Sequence, residues 1–134
     1  MILDVEQGFK DYLEDNMDEL TGNGNFDVEI HKEKFPDNAK PEGISVYAEL
    51  PAPHQVFEIF LVGVRFHTRA RKKSHAFYLI QNLDKLIDRR ANADLSDDLN
   101  LCYCLRNSGP SHFFQDNLHY YMALYEMEVR QVGS

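Results

Sequence analysis

Between Gln55 and Arg90 the chain changes its apolar period once, from two to about 3.6, and this constrains its fold more than any other stretch. Val56 to Phe66 is apolar on both alternating sets. Phe60, Val62, Val64 and Phe66 fall on one side, and Phe57, Ile59 and Leu61 on the other. A strand apolar on both faces belongs in the middle of a sheet, with something packed on each side. A turn is expected at His67-Thr68, then a cationic run, Arg69-Ala70-Arg71-Lys72-Lys73, then an amphipathic helix through Ile87. Its core stripe is Ala76, Leu79, Ile80, Leu83, Leu86 and Ile87. That helix covers one side of the strand. The other side needs a second helix or another subunit.

The flanks complete an α+β pattern. Val5, Phe9, Tyr12, Leu13, Met17 and Leu20 recur at helical spacing, predicting one helix from about Leu3 to Leu20, weakened at Gly8 and stopped by Thr21-Gly22-Asn23-Gly24-Asn25. Phe26, Val28 and Ile30 alternate as a strand, and Ile44, Val46, Ala48 and Leu50 as another, closed by Pro51-Ala52-Pro53 and paired as a hairpin with the central strand. Residues 32–42, with Pro36 and Pro41, read as an exposed loop in which Phe35 either anchors a partner or staples the loop. Residues 91–98 read as loop. Leu101, Tyr103 and Leu105 alternate with Cys102 and Cys104 as a fourth strand, ended by Asn107-Ser108-Gly109-Pro110. A second exposed loop, to residue 118, carries His112, Phe113, Phe114 and Asp116. A last strand from His119 to Val132 puts Tyr121, Ala123, Tyr125, Met127 and Val129 on one face and Met122 and Leu124 on the other. The expected order is α-β-β-β-α-β-β. This is a mainly antiparallel sheet of about five strands with two helices, in one domain spanning 1–134.

A net charge of −8 argues against a general nucleic-acid binder, and no apolar run is long enough to cross a bilayer. Met1-Ile2-Leu3 runs directly into acids rather than into a signal sequence, so the chain reads as made in the cytoplasm. The charge is divided. Residues 1–20 are acidic, and 65–90 carry Arg65, Arg69, Arg71, Lys72 and Lys73 among other cations. Either the two regions attract within one fold, or they are complementary between subunits. If Thr68 caps the second helix, the cations oppose its dipole, each by about 0.3–1 kcal/mol. Three explanations stand: Ser74 is the cap, the acidic first helix neutralises the run, or it awaits a partner protein or DNA. Cys102 and Cys104, two apart, share a strand face and read as reduced thiols. Cys102, Cys104, His112 and His119 make the best metal set available, but the Cys-x-Cys spacing departs from zinc patterns. Asp116 with His112 or His119 can be posed as acid and base. No phosphate loop, zinc helix or serine elbow supports an enzyme, and no cofactor is expected.

One resemblance runs along nearly the whole chain. It is carried by Ile44-Ser45-Val46-Tyr47, the long strand Phe57 to Arg65, the Ala76–Leu83 helix, Arg106-Asn107-Ser108-Gly109-Pro110 and the closing strand Tyr120 to Arg130. In this order they resemble the tail terminator (tail completion, tail-to-head joining, minor capsid) proteins of long-tailed bacteriophages. The basic run 69–73 departs from that pattern. The resemblance implies a structural virion protein rather than an enzyme. It would be a hexameric ring on assembly, either monomeric or already a ring when alone, at the head-proximal end of the tail, where it ends tube polymerisation and contacts the tail tube and head-completion (connector) proteins. DNA would pass through without being specifically bound. Partner contacts are expected at Phe35, Arg65, Arg69, Arg71, Lys72, Lys73, His112, Phe113, Phe114 and Asp116. A second pattern is also similar: class I type III secretion chaperones, homodimers that hold an effector segment. This chain lacks their usual closing helix.

Overall fold

The structure, a computed structural model, describes residues 4–22, 27–49, 52–53, 59–96 and 99–131. Helix α1 (Val5–Asp15) is capped by Asp4, whose side chain accepts the Gln7 N–H at 2.9 Å. It stops at Asn16, which leaves helical geometry and donates its side-chain amide to the Tyr12 carbonyl. A short α2 (Met17–Thr21) follows and ends on Gly22 in the left-handed region. The single helix expected over Leu3–Leu20 is therefore two, because an asparagine amide replaces the next backbone donor. Of its apolar stripe, Val5, Phe9, Tyr12, Leu13 and Leu20 are buried, and Met17 is partly buried against the core.

The remaining elements are β1 (Glu29–Lys32), β2 (Gly43–Ala48), β3 (Ala52–Pro53), β4 (Ile59–Ala70), α3 (Lys73–Ile87), β5 (Ala91–Asp94), β6 (Leu99–Gln115) and β7 (Leu118–Gln131). The fold is α+β; the described residues form three helices and one mixed sheet of seven strands, against the two helices and about five strands expected. The order is β1-β2-β4-β7-β6-β5, with β3 pairing β4; β1 and β2 run parallel and the other pairs antiparallel. β4 is central, as its apolar pattern requires. Leu3, Phe26, Leu50, Pro51, Val56, Phe57 and Val132, assigned to elements from sequence, lie outside the described residues.

Helices cover one face. α1 packs on β1 and β2, and α3 on β4 and β7. Phe66 sits at the junction, edge-on to Phe9 (5.4 Å) and Tyr125 (5.7 Å). All six residues of the α3 stripe are buried.

Four local expectations are corrected. First, no turn forms at His67-Thr68; β4 continues to Ala70. Thr68 is buried and donates its hydroxyl to the Ala76 carbonyl at 2.8 Å, tying strand to helix. Second, neither Thr68 nor Ser74 caps α3. Lys72 occupies the cap position and makes no side-chain cap bond. Third, residues 91–94 form β5 rather than loop. Fourth, residues 107–118 are not a loop. β6 passes through Gly109–Pro110, a cis peptide, in a pair of register shifts, and turns only at Asp116-Asn117. Both residues have positive φ (52° and 62°), the two-residue hairpin geometry that matches strand twist. Pro110 is tolerated because that part of β6 bulges at the sheet edge. Gly109, at φ 91°, is required there: a Cβ would meet the Met122 carbonyl oxygen at 2.5 Å.

A further shift between Leu101 and Tyr103 re-aims β6. Leu101 and Cys104 are buried, whereas Tyr103 and Leu105, expected to share a face with Leu101, point to the uncovered side. One extra residue moves every later side chain across the sheet. Cys102 and Cys104 consequently do not share a burial environment: Cys104 is buried and Cys102 is half-buried.

Candidate functional site

Around Gly63 the sheet face opposite the helices is open among the described residues, and it carries side chains of a kind usually buried. Leu61 is 44% exposed, Tyr103 and Leu105 are each 42%, and Tyr47 is 38%. At the centre is Gly63. Glu126 stands opposite it in the β4–β7 ladder, and the Glu49 N–H donates to the Gly63 carbonyl at 2.9 Å. A Cβ on Gly63 would come within 3.1 Å of Glu49 Oε2. Around Gly63 lies an open hollow of about 430 Å³, with apolar walls from Leu61, Tyr103 and Leu105 and carboxylates from Glu49, Glu126 and Glu128. Beside it the Arg65 guanidinium lies 4.8 Å over the Tyr47 ring.

The other end of this face is filled by the protein itself. The Phe35 ring lies 4.0 Å from the Arg69 guanidinium, which donates to the Lys40 carbonyl (2.9 Å) and the Tyr120 hydroxyl (3.3 Å). Phe113 stacks on Tyr120 at 4.8 Å and meets the His67 ring edge-on at 6.0 Å. Loop 32–42 is thus stapled to the sheet. Lys40 extends the attachment: its side chain pairs with Asp27, which raises its own pKa, and its backbone N–H bonds Glu29. That backbone bond, with the one from His31, holds the Glu29 carboxyl below its usual range. Burial, and then the Arg65 cation, bring the His67 imidazole down to about 4, so it is neutral at pH 7.

On the helix side, the start of α3 carries Arg71, Lys72 and Lys73, all exposed. Glu42 accepts the Arg71 backbone N–H at 3.0 Å, yet among the described residues no carboxylate pairs with the three cationic side chains. Nor does any ion pair there join the acidic first helix to this run; Asp4 pairs with Lys32, and Glu6 accepts the Ala48 N–H. His112 and His119 stack in the adjacent hairpin with ring nitrogens 3.0 Å apart, and Phe114 leans on His119. Desolvation, with Lys73 and His119 behind it, lowers the His112 pKa.

The residues expected as partner contacts therefore divide. Phe35, Arg69 and Phe113 come together on this face as an internal clamp, the stapled alternative for Phe35; Arg69 is only 8% exposed, and Phe35 and Phe113 are half-buried. Arg65 lies on the same face. Asp116 is at the hairpin tip, beside the hollow between Phe35 and Tyr120. Arg71, Lys72, Lys73, His112 and Phe114 are exposed, near the start of α3 and on the adjoining hairpin. The set Cys102, Cys104, His112 and His119 is not assembled: His112 is eight residues along β6 from Cys104, roughly 26 Å at strand rise. Among the described residues no three His, Cys, Asp or Glu side chains could hold a metal. Burial, then Asp88 and Asp84, push the Cys104 thiol up to about 12. Sequence reading missed the Glu49–Gly63–Glu126 hollow, and the exposed set Leu61, Tyr103 and Leu105. A glycine amid β-branched residues was the available signal, since it marks a gap or a close approach.

No protein-family model matches the chain, and a search of curated proteins finds no match.

Proposed function

We propose that this protein is the tail terminator of a long-tailed bacteriophage. In this reading it is a structural protein that sits as a ring on the head-proximal end of the tail tube, stops its growth and offers a surface to the head-completion protein. The observation that carries the reading is the one-sided sheet. Helices cover one face, and the other leaves Tyr47, Leu61, Tyr103 and Leu105 exposed around a hollow. Such a face is suited to assembly, because burying it removes apolar area from water at about 25 cal/mol per Å². The long β6–β7 hairpin and the stapled 32–42 loop supply two further edges for tube and connector. The element order, on which the resemblance to tail terminators rests, supports the same reading.

Labelled antibody against this protein, applied to purified tails in the electron microscope, is the direct test. Six copies at the head-proximal end are expected. Label on the capsid shell, or no label on virions, would overturn the reading. A constitutive dimer that captures an unfolded effector segment would favour the secretion-chaperone pattern instead.

A further inference from the structure

We infer that the hollow at Gly63 receives the Arg71–Lys73 turn of a second copy of this chain. Only the number of copies in the resulting ring rests on the tail-terminator reading; the contact itself rests on the following geometry.

The two patches are complementary in charge and kept apart in space. The hollow combines apolar walls with the exposed carboxylates Glu49 and Glu126. The turn presents three exposed cations with no acidic partner among the described residues, on a helix start that already carries partial positive charge. Gly63 and Ala70 lie seven residues apart along β4, roughly 23 Å at strand rise, with the turn beyond Ala70. That separation is longer than a lysine or arginine side chain, so one chain cannot close the contact on itself. Lysine and arginine also fit the chemistry of the site. Their alkyl stems can lie on Leu61, Tyr103 and Leu105 while their charged ends reach Glu49 and Glu126.

Because the patches differ, the contact is heterologous: each copy offers a hollow to one neighbour and a turn to the other. Such contacts propagate, closing into a ring or extending as a chain. With a net charge of −8 the copies repel at long range, so association depends on this local match and on ionic strength.

Charge exchange tests it. One variant carries Glu49→Lys and Glu126→Lys, the other Lys72→Glu and Lys73→Glu; all four sites are exposed, and circular dichroism confirms that each variant is folded. Sedimentation velocity at low salt should show concentration-dependent self-association of the wild type. Each variant alone should associate at least tenfold more weakly. An equimolar mixture should recover association, because each reversed patch now meets its complement on the other variant. A wild type that stays monomeric at millimolar concentration and low salt overturns the inference. So do variants that associate as the wild type does, or a mixture that fails to recover. Absence of the protein from tails would remove the terminator reading and leave a positive charge-exchange result standing.

Discussion

Arg69 holds a loop to a sheet. Its guanidinium is buried under Phe35 and donates to both the Lys40 carbonyl and the Tyr120 hydroxyl. The planar fork does three jobs that an ammonium cannot do together: it stacks on a ring and donates in two directions. Arg69→Lys should therefore lower stability by about 1–2 kcal/mol, the scale of a desolvated cation–π contact plus a charged hydrogen bond. Urea unfolding reads this directly. An unchanged midpoint would mean that the clamp contributes nothing. In the sequence Arg69 looks like the first of four cations in a surface run. Only the three-dimensional register separates it from Arg71, Lys72 and Lys73, because β4 continues two residues past the expected turn and draws Arg69 under Phe35.

Helix α3 keeps a cation where a cap belongs. Lys72 occupies the cap position with no side-chain bond to the first turn, and the first turn contains no acid. Lys72→Asp should supply the missing acceptor and suit the dipole, raising thermal stability by about 1 kcal/mol at low salt. The same change should weaken self-association if the turn docks in a neighbour's hollow. A variant that is more stable but less associated is the expected outcome of thermal melts paired with sedimentation. An element that keeps a locally unfavourable charge is consistent with selection for a contact outside the monomer. β6 illustrates the opposite problem, an element whose extent was hidden. Gly109-Pro110 reads as a stop signal, yet the strand passes through it by bulging, and the hairpin closes at Asp116-Asn117. The flanking aromatic runs and the Asp-Asn pair were the turn signal, and the proline masked it.

At the scale of the molecule, His67 links acid to stability. It lies within the sheet, against Phe113 and close to Arg65, and its folded pKa is about 4 against 6.5 for a free imidazole. The unfolded chain therefore takes up this proton first. The stabilisation is complete above about pH 6.5 and is lost as pH falls towards 4. Discounted for the ring's partial exposure, the loss is on the order of 1–2 kcal/mol. His67→Gln should flatten the stability profile between those limits. Glu29, held below its usual range, adds its own loss at lower pH in both proteins, so the difference between the two profiles is the readout. Identical profiles would show that His67 titrates no differently folded than unfolded.

The central strand, the α3 stripe, the first-helix stripe and the apolar face of β7 were legible in the sequence because each is a periodic signal that one buried face imposes on its own residues. The second cover expected over the other side of β4 is not found around Leu61 among the described residues. The tertiary structure decided what periodicity cannot carry. Among the described residues it placed helices on one face and left Leu61 on the other. It inserted a bulge after Leu101 that turned Tyr103 and Leu105 outward. It paired β1 in parallel with β2, and brought Phe35 from a distant loop onto Arg69. Each of these depends on pairing register or on contacts between residues far apart in the chain, and a local pattern of residue types holds no record of either.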